Sequence, residues 1–137
     1  MNSPLTRLTL VALILATTCT LRAADALAPT GFSRKVLVEQ DLTTAGKHGV
    51  TALASFAPGA VTPKHTHPGE EFIYVIEGDV RLEIDGQPPR DLHPGDACVI
   101  PAGVAHLARN LGATPAKAVS TYFLETGKPL ATPAPGK

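Results

Sequence analysis

The chain has 137 residues, with twelve basic and twelve acidic side chains, so its formal charge is zero and no strongly charged partner is selected. The length suits one domain, and no run of like charges marks a nucleic-acid surface. A helix-turn-helix segment, which a DNA-binding regulator needs, has no counterpart in the pattern.

The first expected element is a secretory signal over residues 1–26. Met1 to Arg7 is a short opening that ends on a cation, Leu8 to Thr18 is apolar, and Ala24-Asp25-Ala26 offers a small-x-small cleavage site. The apolar stretch falls short of the ~20 residues a membrane-spanning helix needs, so no stable membrane anchor is expected after processing. Only Arg7 precedes it, which disfavours the twin-arginine route, and Ala16-Thr17-Thr18 before Cys19 is a poor lipoprotein box. The expected location is periplasmic or secreted. Cleavage near Ala26 removes Arg7, Arg22 and Asp25, leaving ten basic and eleven acidic groups. It also removes Cys19, so Cys98 has no partner for an intrachain disulfide, and stability must come from packing and metal. Within Ala97-Cys98-Val99-Ile100, Cys98 reads as a small buried hydrophobe.

Residues 27–124 read as an all-β domain, because short apolar runs are separated by turn residues and no segment shows a long helical pattern. The expected strands are Arg34 to Glu39, Val50 to Phe56, Lys64 to His67, Glu71 to Glu77, Val80 to Ile84, Ala97 to Ile100, Ala105 to Asn110 and Lys117 to Phe123. Asp85-Gly86 signals a hairpin after Val80 to Ile84. Alternation sends Glu71, Ile73 and Val75 to one face and Phe72, Tyr74 and Ile76 to the other. Three large apolar groups on that second face need cover, either from Val36, Leu37 and Val38 of the first strand or from a second copy in a homodimer. Residues 125–137, rich in proline and small side chains, are expected to be loosely held.

Chemistry concentrates between Lys64 and Glu71. His65 and His67, two apart on a strand, share a face and invite one metal ion. Pro68-Gly69 then turns the chain, so that a glutamate returns beside the pair. On chemistry alone either Glu70 or Glu71 could be the ligand. His106 follows the Pro101-Ala102-Gly103 turn and comes from a separate strand. Imidazole and carboxylate together suit a transition metal. His48, beside Gly46 and Gly49, and His93, beside Pro94, read instead as solvated turn histidines. Asn110 and the glycines at 59, 78, 95 and 103 read as geometric.

Two spaced clusters carry a family resemblance. The first runs Gly59, His65, His67, Glu71, Gly78; the second runs Gly95, Pro101, Gly103, His106, Asn110. Both resemble the signature motifs of the cupin superfamily, over about Phe56 to Phe123. The resemblance implies a double-stranded β-helix, or jelly-roll barrel. It also implies a single divalent transition metal, zinc, copper, iron, manganese or nickel, held by His65, His67, Glu71 and His106. Glu70 is left as a solvated neighbour or a proton-handling one, the one catalytic candidate outside the ligand set. Cupins with this set include dioxygenases, isomerases, lyases and decarboxylases, so the expected function is an exported metal-dependent enzyme, dioxygenase-like, on a small organic substrate. A non-catalytic periplasmic carrier of metal or small ligand is the alternative. Folding outside the cytoplasm favours copper and zinc over iron and manganese. Inward candidates Phe56, Ile73, Val75, Leu82 and Ile84 favour a compact hydrophobic or aromatic ligand. No arginine or lysine is firmly placed inward, which disfavours phosphorylated sugars, with Lys64 and Arg109 left open.

Overall fold

Side-chain alternation builds the molecule. In the computed structural model, which describes residues 31–135, ten strands follow in order and no helix occurs among the described residues. They are β1 (Phe32–Asp41), β2 (Lys47–Phe56), β3 (His65–Thr66), β4 (Glu70–Glu77), β5 (Val80–Ile84), β6 (Arg90–Leu92), β7 (Ala97–Ile100), β8 (His106–Arg109), β9 (Ala116–Glu125) and β10 (Thr132–Pro133). The expected signal segment and Cys19 lie outside the described residues.

The strands form two antiparallel five-stranded sheets, ordered β1-β2-β9-β4-β7 and β10-β3-β8-β5-β6. Each long strand turns every second residue toward the other sheet. On β2 these are Val50, Ala52, Ala54 and Phe56; on β4, Glu71, Ile73 and Val75; on β5, Val80, Leu82 and Ile84. All are buried, as the alternation required. Burying a side chain such as Leu82, only 1% exposed, contributes about 1.5–3 kcal/mol, so the apolar part of the interior carries the fold and leaves room for a few costly polar groups.

The hairpin expected at Asp85-Gly86 forms, with Val80 opposite Leu92 and Gly86 at φ +80°. Two elements escaped the sequence pattern: β6, three residues with only Leu92 buried, and β10, two exposed residues. Neither is long enough to show a period. Consequently the tail is not loose throughout. Thr132 and Pro133 pair with Thr66 and His65, Ala134 N–H donates to the Lys64 carbonyl at 3.0 Å, and Leu130 packs against Val50, Ala52, Tyr122 and Leu124.

The first strand does not cover the outer face of β4. It pairs edge-on with β2, two strands away from β4, so Phe72, Tyr74 and Ile76 remain about half exposed. Val36, Leu37 and Val38 are exposed as well, because an edge strand joined by hydrogen bonds extends the sheet rather than stacking on it. Cys98 is half-buried rather than enclosed: it packs partly against the core while Arg90 Nη1 donates to its sulfur at 3.2 Å.

Asn110, fully buried, ties the loops at one end of the barrel. Its amide donates to the carbonyls of Phe56, Ala57 and Thr114, and its oxygen accepts from Gly112 N–H at 2.8 Å. Gly69 works by close approach instead. A Cβ there would sit 1.8 Å from the Phe123 carbonyl oxygen, which is backbone of β9 and has no rotamer to escape by. Gly69→Ala is expected to destabilise the protein by about 3 kcal/mol, at the upper end for overpacking, as read from denaturant unfolding. The matched change Gly59→Ala, where the added carbon meets nothing within 4 Å but φ is +76°, should cost about 1 kcal/mol.

Candidate metal centre

Four side chains from both sheets converge between them. His65 on β3 stands in register with His106 on β8, His67 follows β3, and Glu71 reaches across from β4. All four are buried, with His67 and His106 each 2% exposed. The three imidazoles offer ligand atoms within 4.8 Å of one another.

The tautomers follow from the backbone. His65 Nδ1 donates to the Pro63 carbonyl at 2.7 Å, His106 Nδ1 to the Val104 carbonyl at 3.0 Å, and His67 Nδ1 to the Leu130 carbonyl. A carbonyl can only accept, so each Nδ1 holds the hydrogen and each neutral ring presents the Nε2 lone pair to the interior. Glu71 Oε2 lies 3.1 Å from His67 Nε2 and 3.2 Å from His106 Nε2. Both Glu71 Oε2 and His67 Nε2 are buried without a hydrogen-bond partner among the described residues. Lone pairs facing lone pairs at these distances repel unless a cation stands among them, and a divalent metal ion fits that donor set.

Charge in the site points the same way. Burial by itself pushes the Glu71 carboxyl up, but its close neighbours His106, His67 and Ser120 outweigh it and hold the group well below the usual carboxylate range. Burial also lowers His65, to about 4; the charges of His106, His67 and Arg34 add to the effect against the bond to Pro63. At neutral pH His65 is therefore an unprotonated donor, ready for a metal. Tyr122, 1% exposed, is raised by burial and by the Glu71 charge, so its hydroxyl stays protonated and serves as a donor rather than a base.

Glu70 is placed elsewhere. Alternation on β4 turns it to the outer face, where it is exposed and opposite Phe123 of β9, so it does not share the cavity with Glu71. His48 and His93 also stay out of the site, held by Asp41 at 2.9 Å and Asp79 at 2.8 Å. Lys64 pairs with Asp85 at 2.7 Å and Arg109 with Glu83 at 2.9 Å, so neither points inward. The cavity beside the centre is small, about 30 Å³, which is room for roughly two water molecules. Phe56, Ile73 and Leu82 form its apolar wall; Arg34, Ser120 and Tyr122 supply polar groups. The last three escaped the sequence reading because their strands show only alternation, and alternation does not say which polar residue meets the site.

A two-sheet jelly roll that gathers three imidazoles and one carboxylate between its sheets defines a class: double-stranded β-helix proteins with a candidate metal site. The family model for the cupin domain matches residues 52–122, more than half of the chain, and the protein belongs to that family. It is 36% identical over 77 residues to Germin-like protein 1 of Brassica napus, a match covering 53% of this chain and 37% of that protein. Such matches span from a quarter to about half of the curated relatives' own length. Among solved structures, a double-stranded β-helix protein from Klebsiella pneumoniae superposes with a TM-score of 0.65 at 22% identity, covering 78% of this chain and 87% of the other. A recombinant oxalate oxidase in complex with glycolate superposes with a TM-score of 0.61 at 27% identity, covering 81% and 59%.

Two outcomes follow from the geometry. A chain ending at Lys128 loses the Leu130 carbonyl that fixes His67, so its metal affinity should fall about 10–100-fold while the strand content seen by circular dichroism is retained. The metal-free protein should lose stability as pH falls from about 6.5 toward 4. The folded pKa of His65 lies below its unfolded value, so the unfolded chain binds the extra proton across that window. Urea unfolding at a series of pH values measures it, and a His65→Gln variant should flatten the slope there.

Proposed function

We propose that this cupin is an exported metal-dependent enzyme acting on a small organic molecule, with His65, His67, Glu71 and His106 as the ligands of one divalent transition metal. The observation that carries the reading is the set of inward lone pairs: three Nε2 atoms fixed by carbonyl partners, and the buried Glu71 Oε2 with no hydrogen-bond donor among the described residues. A metal bound there would supply Lewis-acid or redox chemistry to a substrate oxygen. The chain's own groups have narrower tasks. Glu71 offsets part of the metal's charge, the Ser120 hydroxyl donates to Glu71, and Phe56, Ile73 and Leu82 exclude water. The relatives include proteins described as an oxalate oxidase and a dimethylsulfoniopropionate lyase, which supports an enzyme.

One observation favours the non-catalytic carrier. With Glu70 outside and Tyr122 kept protonated, the described residues put no carboxylate in the cavity besides the ligand Glu71 to act as a free base. Turnover separates the two readings, since a carrier has metal affinity without it.

The reading includes a signal segment over residues 1–26 and a homodimer that meets through the outer face of β4. Phe72, Tyr74, Ile76, Val99 and Phe123, all exposed, support such an interface. One preparation tests these points together: protein recovered from the producing cells, analysed for metal, N-terminal sequence and sedimentation. The expected result is near-stoichiometric metal that is lost in the His65→Ala/His106→Ala variant, a chain starting close to residue 27, and a dimer. A folded, metal-free wild-type protein would remove the centre from the reading. An intact Met1 in the recovered protein would remove export, and a monomer would remove the interface.

A further inference from the structure

Among the described residues, Arg34 is the cation that lines the cavity. It lies on β1 opposite the buried Ala54, and its guanidinium carbon stands 5.9 Å from the Phe32 ring centre and 5.8 Å from that of Tyr122. Its Nε is buried and has no hydrogen-bond partner among the described residues. Lys64, Arg81, Arg109 and Lys117 each have an acidic partner within 2.9 Å, whereas no ion pair to Arg34 is formed among the described residues. Aromatic faces attract the guanidinium charge but offer no acceptor to its N–H edge. An arginine half withdrawn from water, stacked by two rings and short of an acceptor is arranged to receive one.

We propose that Arg34 binds the carboxylate of a small organic acid in this cavity, so that the ligand of the centre is an anionic acid of a few heavy atoms. The inference rests on the metal-enzyme reading for what then happens to the acid, but the arginine subsite can be tested without it. Charge complements the assignment. Neutral imidazoles and a divalent ion, only partly offset by Glu71, leave a positive site to which Arg34 adds. A planar carboxylate matches the guanidinium fork with two parallel hydrogen bonds. The cavity of about 30 Å³ suits an acid of a few heavy atoms better than an aromatic one. Beside the apolar wall of Phe56, Ile73 and Leu82, the polar side chains Arg34, Thr62, Ser120 and Tyr122 line the space in which it would be oriented. Arg34 in the lining corrects the sequence-based expectation of an inward face without a basic group, and this reading sets an anionic acid in place of the aromatic or hydrophobic ligand.

The test is calorimetric titration of glycolate, its neutral analogue glycolamide and inorganic phosphate into the metal-loaded protein and into protein stripped with EDTA. The expected result is that glycolate binds at least about tenfold more tightly than glycolamide, a preference that Arg34→Met abolishes and Arg34→Lys partly keeps, with metal content unchanged in both variants. Equal binding of glycolate by wild type and Arg34→Met would overturn the proposal, as would glycolamide binding as tightly as glycolate or phosphate displacing it. In the stripped protein, an Arg34-dependent preference for glycolate supports the subsite even if the wild type proves to hold no metal. Its absence there, with the stripped protein folded, counts against the arginine and leaves the metal reading untouched.

Discussion

A buried carboxylate facing imidazole lone pairs across two sheets is the constraint around which this molecule is organised. Glu71 comes from one sheet and the three histidines from, or next to, strands of the other, so the site exists only while the sheets stay packed. Each imidazole is held in one tautomer by a carbonyl, and the carboxylate is held ionised by its neighbours His106, His67 and Ser120, which outweigh its burial. Such a group set is costly in an apolar interior unless a cation joins it. The alternating apolar residues of β2, β4, β5 and β9 supply the stability that tolerates it.

The structural and chemical parts of the site share the same backbone. Gly69 lets the chain pass against β9 between His67 and Glu71, and Asn110 fastens the loops just after the strand that carries His106. The tail adds a third support, since the segment that places β10 on β3 also brings the Leu130 carbonyl to His67. Two paired residues and one half-buried leucine are a light attachment for a group so close to the centre. Segments held by so few contacts open at low free energy, which ties the order of the site to the order of the tail.

Much of the fold was legible in the residues because strand patterns have a period of two and turns have a chemistry. Glu71, Ile73 and Val75 face inward and Phe72, Tyr74 and Ile76 outward, as alternation required, and Asp85-Gly86 makes its hairpin. The same rule that placed Glu71 inside removes Glu70 from the cavity once β4 is seen to begin at Glu70. Strands of two or three residues have no period to read, so β6 and β10 were not visible. Whether the outer face of β4 is covered by the first strand or by a second copy was open, because Val36, Leu37 and Val38 fit the first by composition and composition does not say where a strand packs.

Sequence by itself determined the family, the two-sheet architecture and the convergence of His65, His67 and His106, because these rest on spacing and on side chains whose direction alternates along a strand. Only the tertiary structure decided what surrounds them: Arg34 beside the cavity, Tyr122 and Ser120 against Glu71, the Leu130 carbonyl behind His67, and the small size of the space. The physical reason is that these contacts join residues far apart in the chain. Their pairing is set by which strands become neighbours and in what register, and no local pattern encodes that choice.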